Sequence, residues 1–183
     1  SRNGFRPRSQ NGVSMLRPVL QYPDPRLAQK SAEVTEINDE IRALAQDMLD
    51  TLKAIGGVGI AAPQIGIFKR VIILDLSQEL KDPDAPQEFK ALVNPRVTVL
   101  DPALHAENEG CLSVPDYRAM VKRPRRVALD ALDLDGNPVH LEGEGYYGAA
   151  MQHETDHLDG RLFIDHLSYL KRSLYDKKVR KAR

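Results

Sequence analysis

Residues 153–157 read His-Glu-Thr-Asp-His, and this pentapeptide constrains the fold of the chain more than any other segment. On an α-helix, side chains four residues apart lie on one face, so the imidazoles of His153 and His157 can converge on one metal ion. Glu154 then reaches a water bound to that ion rather than the ion itself, which is the division of roles in a catalytic metal site. The alternative is a helix whose exposed face carries two histidines and several acids by chance.

A catalytic metal site normally needs a third protein ligand, and its identity decides the class of chemistry. A long metzincin motif fits at Gly160 but fails at Phe163, because phenylalanine cannot bind a metal. A thermolysin-like site needs a later glutamate, and no Glu follows Glu154. The remaining candidates are Cys111, His105, His140, Asp165, His166 and Asp176.

Cys111 is the only cysteine of the chain and lies in the segment Glu-Gly-Cys-Leu-Ser, residues 109–113. A free cysteine is most often a small buried hydrophobic residue, and this interpretation is favoured for Cys111 taken alone. Beside a two-histidine helix without a downstream ligand, a thiolate ligand is the better interpretation. A thiolate favours iron, nickel or zinc over magnesium or calcium. The single cysteine also excludes an internal disulfide framework.

The hydrophobic periodicity predicts helices and strands in separate stretches of the chain. A first helix is capped by Asn38 and ends at Gly56–Gly57, a second begins near Gly145 and runs through the pentapeptide, and a third covers the C-terminus. Strands are predicted at 71–76 and 91–100, and a hairpin at 127–134 and 139–144 turns at Asp135-Gly136-Asn137. Because strands and helices do not alternate as βαβ units, we expect an α+β fold.

Charge divides the chain into three parts, although its 26 basic and 26 acidic residues give a net charge of zero. Residues 1–14 carry three arginines and no acid, and we interpret them as a disordered arm, a cloning remnant or a processed leader. Residues 15–170 are predicted to form the catalytic domain and carry 16 basic against 25 acidic residues. Residues 171–183 carry seven basic residues and one acid, and are predicted to form a basic helical tail. Its apolar stripe would consist of Leu167, Leu170, Leu174 and Val179.

A glycine-rich run, Gly-Val-Gly-Ile-Ala-Ala-Pro-Gln, occupies residues 57–64 after the first predicted helix. It is not a P-loop, because it lacks the Lys-Ser/Thr pair and does not follow a strand. Taken alone, it is equally consistent with a tight turn in which Gln64 is an incidental surface amide.

Three segments together resemble peptide deformylase. The family pattern of GxGxAAxQ, EGCLS and QHExDH matches residues 57–64, 109–113 and 152–157 in that order and without a mismatch. The likeness extends from about Met15 to the Leu-Phe-Ile-Asp-His-Leu segment at 162–167. The resemblance implies antiparallel sheets around a central metal-binding helix, with a C-terminal helix. It also implies a metal-dependent hydrolase that removes the formyl group from formyl-methionyl nascent peptides and releases formate.

The resemblance assigns roles to individual residues. Cys111, His153 and His157 match the family's metal ligands, and Glu154 matches its general acid/base, which activates the metal-bound water. Gln64 and the backbone N–H of Leu112 match the donors that hold the formyl oxygen. The family's substrate-binding positions match Val58, Gly59, Gly110 and Arg118. The usual metal of the family is Fe²⁺, and Zn²⁺ or Ni²⁺ also occupies such sites.

The start of the metal-binding helix departs from the family pattern. Many relatives carry a Leu-Leu pair where this chain has Tyr146 and Tyr147, and Gly148 follows. In the family this helix face helps to line the pocket for the methionine side chain, so the two rings either reshape that pocket or pack elsewhere in the core. Gly148 is expected to loosen the start of the helix, because glycine disfavours helical backbone.

The expected partners are formyl-methionyl nascent peptides and, through the basic tail, ribosomal RNA, since some deformylases dock there through a basic C-terminal extension. We expect a monomer, located in the bacterial cytoplasm rather than in an organelle, without a membrane partner because no apolar run approaches about 18 residues. Two other functions are weighed: a metallopeptidase that cuts internal peptide bonds, and an RNA-binding module with a structural metal. Structural sites are closed by four protein ligands, so three ligands and a spare Glu154 favour catalysis.

Overall fold

The structure is a computed structural model that describes residue 5 and residues 16–182. The predicted arm at residues 1–14 lies outside the described residues, apart from Phe5, which packs partly buried against the core. The α+β class is confirmed, with helices packed on an antiparallel sheet. The helices are α1 (Asp39–Ile55), α2 (Gly145–Leu158) and α3 (Tyr169–Lys181), and the strands are β1 (Gly59–Ala61), β2 (Val71–Asp75), β3 (Phe89–Cys111), β4 (Val114–Leu132) and β5 (Pro138–Glu144).

The strands form one continuous sheet within the described residues, and each strand pairs with its neighbour in the chain. All four pairings are antiparallel, so the chain meanders from β1 to β5 without a crossover. The predicted hairpin is confirmed between β4 and β5, where Asp133 N–H donates to the carbonyl of Asn137 at 2.9 Å and Gly136 adopts a φ of +83°. Glycine accepts this left-handed backbone without strain, which is why an Asp-Gly pair predicts the turn.

Strands β3 and β4 are much longer than the predicted segments at 91–100 and 127–134. They continue into a long hairpin that closes at Leu112–Ser113, where Cys111 pairs with Val114. The stretch 101–126 escapes prediction because it lacks regular alternation of apolar and polar residues and contains prolines. Register shifts between Val99 and Asp101, and again before Leu104, accommodate Pro102 in the ladder. The hairpin carries the Cys111 segment back toward the helices.

Helix α1 has the bounds that its capping residues predict. The side chain of Asn38 accepts a hydrogen bond from Ile41 N–H at 3.1 Å, and Gly56 ends the helix with a φ of +87°. The buried face of α1 packs on β1 and β2 as part of a core group that also includes Ile60, Val71 and Ile73. Because β1 begins four residues after α1 ends, the glycine-rich run lies between this core and α2.

Helix α2 is the central helix of the fold and contacts all five strands. Gly148 lies against β5, and a Cβ at this position would be 2.7 Å from the carbonyl oxygen of Gly143. Glycine therefore does more here than loosen the helix start, because it allows the helix and the strand to approach each other. In the turn after α2, a Cβ on Gly160 would lie 2.3 Å from the carbonyl oxygen of Ala28, so glycine also allows this turn to pack closely on the short 3-10 helix Pro25–Ala28.

Helix α3 confirms the predicted C-terminal helix, but its buried face differs from the predicted stripe. Leu170 and Leu174 are 67% and 59% exposed, whereas Tyr175 is 4% exposed. Tyr175 packs with Phe163 and Val114, and Val179 joins the same core group from the edge. Leu167 of the predicted stripe also packs partly buried against this core group, so the prediction is correct at Leu167 and Val179 and wrong at Leu170 and Leu174. It also omitted the tyrosine ring, which supplies the larger apolar surface. No helix in the described part of the chain has the length and apolar character needed to cross a membrane.

Candidate active site

Three of the residues predicted to bind metal meet at one point. Cys111 ends β3, while His153 and His157 lie one turn apart on α2. One ligand atom from each of the three lies within 4.8 Å of the other two, and Cys111 Sγ is 3.4 Å from His157 Nε2. Within the described residues, this is the group of His, Cys, Asp and Glu side chains that can hold a metal ion. The two histidines are 9% and 1% exposed, so the group is buried in the fold.

The other candidates for the third ligand have different partners. His105 contacts Glu107, His140 contacts Asp130, and His166 contacts Asp156. Asp165 accepts from the backbone N–H of Leu162 and pairs with Arg172, and Asp176 pairs with Arg180. Among the described candidates, Cys111 is therefore the one that lies beside His153 and His157, in a group that could hold a metal ion.

Glu154 provides the test of whether this group fits a metal. Its side chain is 5% exposed, and its Oε1 atom is buried without a hydrogen-bond partner among the described residues. That oxygen lies 3.9 Å from His157 Nε2, beside the three ligand atoms. A buried carboxylate oxygen without a donor is costly, and a proton donor such as water at the open position of a three-ligand metal would satisfy it. The donor set of one thiolate and two imidazoles fits a transition metal.

The buried site shifts the acid–base properties of its residues. Burial raises the pKa of Glu154 to about 7. Burial also lowers the pKa of His157 well below its ordinary value, which keeps this imidazole neutral and able to bind metal. Burial acts in the same direction on His153, but the charge of Glu154 and hydrogen bonds with Cys111 and Glu109 outweigh it and raise the pKa. A proton on His153 therefore competes with a metal ion.

A buried polar network supports His153. The Nδ1 atom of His153 lies 2.9 Å from Glu109 Oε1, which orients the ring and leaves Nε2 for a metal. Arg123 binds the same carboxylate with two nitrogens, at 2.6 and 2.9 Å, and donates from its third nitrogen to Asp156 at 2.9 Å. His166 completes the network at the surface, with its Nε2 atom 2.8 Å from Asp156 Oδ2.

The sequence prediction assigned no role to these supporting residues. Glu109 had one detectable signal, because it is an acid in the same Glu-Gly-Cys-Leu-Ser segment as Cys111. Arg123 had none, because it reaches Glu109 from the neighbouring strand of a hairpin that was not predicted.

Gln64 is buried beside the group of Cys111, His153 and His157 rather than exposed as an incidental surface amide. Its side-chain oxygen accepts from the backbone N–H of Ala61 at 2.9 Å, which fixes the orientation of the amide. Its Nε2 atom donates to Ser113 Oγ at 3.1 Å and lies 3.6 Å from Cys111 Sγ. The amide N–H groups therefore face the same place as the ligands. Leu112, between Cys111 and Ser113, lines the adjoining cavity.

A cavity of about 760 Å³ opens onto this group. The predicted substrate-binding residues Val58, Gly59, Gly110 and Arg118 all line it, together with Gln64, Leu112 and Glu154. Gly59 lies so close to Glu154 that a Cβ would be 2.6 Å from the carboxylate Oε2. Arg118 extends over Gly110 and donates to the carbonyl of Asn108 at 3.0 Å. The structure thus brings every sequence-predicted site residue to this cavity or to the ligand group beneath it.

Of the two tyrosines at the start of α2, one lines the cavity and the other packs in the core. Tyr146 is 42% exposed and lines the cavity together with Ala149 and Ala150. Tyr147 is 4% exposed and packs in the core against β5, with its ring over Gly143. Only the first ring therefore changes the shape of the cavity.

Aromatic rings connect α3 with the ligand group. The ring of Tyr175 lies 4.5 Å from that of Tyr117, which also lines the cavity. Tyr117 stacks on Phe163 at 6.2 Å, and Phe163 stacks on the imidazole of His153 at 6.1 Å. These distances lie in the range of favourable aromatic pairs, so α3 buttresses one wall of the site.

Comparisons with known proteins agree with the geometry. The family model described as polypeptide deformylase matches residues 16–173. A curated peptide deformylase from Chromohalobacter salexigens is 45% identical over 163 residues, covering 89% of this chain and 92% of its own. The crystal structure of peptide deformylase from Ehrlichia chaffeensis matches with a TM-score of 0.81 and 33% identity, covering 92% of this chain and 97% of its own.

A third relative is a class I type b peptide deformylase from Acinetobacter baumannii, whose crystal structure is described as bound to Met-Ala-Ser. It matches with a TM-score of 0.77 and 36% identity, covering 85% of this chain and all of its own. The family match spans most of the chain, and the identity to these relatives extends over nearly their full length. The chain is therefore a member of the polypeptide deformylase family.

Proposed function

We propose that this chain hydrolyses the formyl amide at the N-terminus of formyl-methionyl peptides and releases formate with a free amino terminus. The observation that carries the proposal is the meeting of three ligands and an unpartnered buried Glu154 at the end of one cavity. A closed structural site would present a fourth protein ligand instead. The relative solved with Met-Ala-Ser supports a substrate whose first residue is methionine.

Cys111, His153 and His157 would hold one divalent transition metal, Fe²⁺ by preference, with Zn²⁺ or Ni²⁺ as alternatives. When bound, such a metal acts as a Lewis acid and lowers the pKa of a bound water, in favourable cases to about 7. The protein's contribution is to fix the ligands: the hydrogen bond from His153 to Glu109 orients one imidazole, and the rigid end of β3 positions the thiolate.

Glu154 is proposed to move the proton. Its carboxylate accepts a proton from the attacking water and then delivers it to the methionine nitrogen as the C–N bond of the formyl amide breaks. A carboxyl group whose pKa lies near 7 can both accept and donate a proton near neutral pH. Gly59 keeps the space beside the carboxylate Oε2 free of a side chain, so the substrate can approach this oxygen.

Gln64 and the backbone N–H of Leu112 are proposed to donate hydrogen bonds to the formyl oxygen. The Gln64 amide is fixed by its bond to Ala61, so its N–H groups are already oriented when charge develops on that oxygen. One such donor is worth about 3–4 kcal/mol in comparable sites. Val58, Gly59, Gly110 and Arg118 would bind the peptide along the cavity, and Tyr146 would contact the methionine side chain.

The test compares Glu154→Gln with the exposed control Glu36→Gln. We expect Glu154→Gln to retain the metal in elemental analysis and to lose about 100-fold or more of its turnover of a formyl-Met peptide, because only the proton transfer is removed. Full activity of Glu154→Gln would contradict the mechanism. Cleavage of an internal bond in an unformylated peptide by the wild-type protein would instead support the metallopeptidase alternative.

We propose that the basic tail at residues 171–183 binds ribosomal RNA. Residues 15–170 would form the catalytic domain, and the protein would act as a monomer in the cytoplasm. Complete deletion of the tail is a poor test, because it removes the buried Tyr175. Charge reversal at Lys177, Lys178 and Lys181, all exposed on α3, leaves the core intact. We expect weaker ribosome binding than in a control with the same reversals at Lys30, Lys53 and Lys122, and equal binding by the two variants would overturn the proposal.

A further inference from the structure

Ser113 is a buried polar residue to which the proposed mechanism gives no part. It lies in the turn that closes the hairpin of β3 and β4, directly after Leu112, whose backbone N–H is a proposed donor to the formyl oxygen. The residue is 0% exposed, so a substrate cannot reach its hydroxyl. Any part that Ser113 has in the reaction must therefore act through a neighbouring residue.

The neighbour that the Ser113 hydroxyl contacts is Gln64. The Nε2 atom of Gln64 carries two N–H bonds and has two contacts, one with Ser113 Oγ at 3.1 Å and one with Cys111 Sγ at 3.6 Å. The hydroxyl therefore takes one N–H, and the other is directed at the candidate metal ligands. Sulfur is a weak acceptor, so this second N–H is free to pass to a carbonyl oxygen that enters the site.

One contact alone would not orient the amide of Gln64. The torsion about the last side-chain bond of a glutamine is broad, so an amide held only through its oxygen keeps some freedom to rotate. The bond from Ala61 N–H fixes Oε1 of Gln64, and the Ser113 hydroxyl fixes Nε2. Because both ends of the planar amide are held, the direction of the second N–H is determined.

The backbones of Gln64 and Ser113 are tied to the same short segment, residues 20–22. Leu20 N–H donates to the carbonyl of Gln64 at 2.7 Å, and Tyr22 N–H donates to the carbonyl of Ser113 at 2.7 Å. The spacing of the two residues is thus set by main-chain hydrogen bonds and does not depend on the Ser113 hydroxyl. Removal of that hydroxyl should leave both residues in place and release only the amide.

We propose that Ser113 is a positioning residue of the active site. Its hydroxyl accepts one N–H of Gln64 and so holds the second in the direction of the formyl oxygen before the substrate binds. The inference rests on the proposed function, in which Gln64 stabilises the charge that develops on this oxygen. A donor oriented in advance stabilises a transition state better, because it need not reorient during the reaction. Ser113 therefore acts on kcat rather than on substrate binding.

The kinetic test is a double-mutant cycle of Ser113→Ala and Gln64→Met with a formyl-Met peptide. We expect Ser113→Ala to lower kcat about ten-fold and to leave KM within about two-fold. Gln64→Met should lower kcat about 100-fold or more, and the double variant should match it, because the hydroxyl acts only through the amide. The control Ser77→Ala removes another buried hydroxyl, which is bonded to Asp75, and should be as active as the wild type.

A second measurement does not depend on turnover. The side-chain amide of Gln64 can be observed by two-dimensional NMR of the zinc-loaded protein and assigned by its loss in Gln64→Met. In the wild type we expect its two proton resonances to exchange slowly with water, because the amide is buried and bonded at both ends. In Ser113→Ala the resonances should move toward those of exposed glutamines and exchange faster, whereas Ser77→Ala should leave them unchanged.

The outcomes separate this inference from the proposed function. Unchanged kcat or unchanged Gln64 resonances in Ser113→Ala, together with an impaired Gln64→Met, would overturn the positioning role and leave the proposed function intact. A further ten-fold loss in the double variant relative to Gln64→Met would also overturn it, since Ser113 would then act through another group. Full activity of Gln64→Met would contradict the proposed role of Gln64 itself, and the role of Ser113 with it.

Discussion

Arg123 is a buried cation that joins the candidate metal site to the rest of the protein. It is 4% exposed and binds both Glu109 and Asp156, so its single charge is shared by two carboxylates. Burial alone would raise the pKa of both acids. The hydrogen bonds from His153 and Arg123 to Glu109, and from His166 and Arg123 to Asp156, outweigh burial and lower both pKa values. Both carboxylates are therefore charged in the folded protein and stabilise it in that form.

This network predicts that the metal-free protein loses stability in acid. A lowered folded-state pKa contributes stability that is present above the unfolded-state pKa and is lost as the pH falls through the folded-state pKa. The ordinary values for the two groups are 4.5 and 3.8, so we expect the free energy of unfolding to decrease as the pH falls below about 4.5. Urea denaturation between pH 7 and pH 3 measures this dependence.

Arg123→Met is the variant that isolates the network. At pH 7 it should lose about 3–5 kcal/mol of stability, because it leaves buried carboxylates without their cation. The loss should shrink in acid, where protonation relieves the uncompensated charge, and the double variant Arg123→Met/Glu109→Gln should recover part of it at pH 7. A loss that is independent of pH would show that Arg123 acts through packing alone.

At the scale of elements, the position of α2 depends on glycine. Helix α2 lies so close to β5 that the backbone of Gly148 faces the carbonyl of Gly143, and this contact sets how far the ligand-bearing turn lies from the sheet. A sequence pattern cannot reveal such a contact, because the helix propensity of glycine is unfavourable and predicts only a weaker helix.

Gly148→Ala tests this spacing because two effects oppose each other. Helix propensity alone would stabilise the variant by about 1 kcal/mol, whereas the clash with Gly143 should destabilise it by about 1–3 kcal/mol. We expect the clash to dominate, so the variant should unfold at lower urea concentration than the wild type. Lys53→Ala on the exposed side of α1 is the control and should stay within about 0.5 kcal/mol of the wild type. A more stable Gly148→Ala would contradict the close approach.

Helix α3 gives a matched pair of neighbouring residues with opposite environments. Tyr175 is buried between Tyr22 and Tyr117, while Leu174 projects outward. We expect Tyr175→Ala to cost about 3–5 kcal/mol, because a buried ring is lost, and Leu174→Ala to change stability by about 0.5 kcal/mol or less. Thermal or urea unfolding of the two variants distinguishes them. Similar losses in both would place the predicted leucine stripe, rather than the tyrosine, at the interface.

At the scale of the whole molecule, local patterns predicted what depends on local spacing. The caps of α1, the turn before β5 and the two histidines on α2 each follow from residues within a few positions of one another. The long hairpin of β3 and β4 does not follow from such local spacing. Its strands are stabilised by pairing along the whole length of the hairpin, and bulges around Pro102 shift the register of that pairing. Arg123 could not be assigned for the same reason, since its partner is 14 residues away on the facing strand.

The charge of the whole chain is also a property that no single residue reveals. Residues 171–183 carry seven bases and one acid, whereas residues 15–170 carry 25 acids and 16 bases. The net charge of zero therefore averages an acidic body with a basic C-terminal end and the three arginines of residues 1–14, and only these two ends have the sign that attracts nucleic acid.

A metal held by Cys111, His153 and His157, as proposed, would join two parts of the fold, and its removal should weaken the whole molecule. Cys111 ends β3 and the two histidines lie on α2, so only the folded chain brings the three ligands together. An ion that binds only the folded chain, at a free concentration a thousand times its dissociation constant, raises the free energy of unfolding by about 4 kcal/mol. For a chain of this size, that corresponds to a fall in Tm of about 8–16 °C on chelation. Calorimetry of the loaded and chelated protein measures the difference. Glu154→Gln should keep the metal-dependent shift, and Cys111→Ala should lose most of it. Equal Tm values for the loaded and chelated wild type would show that the three ligands do not hold the ion.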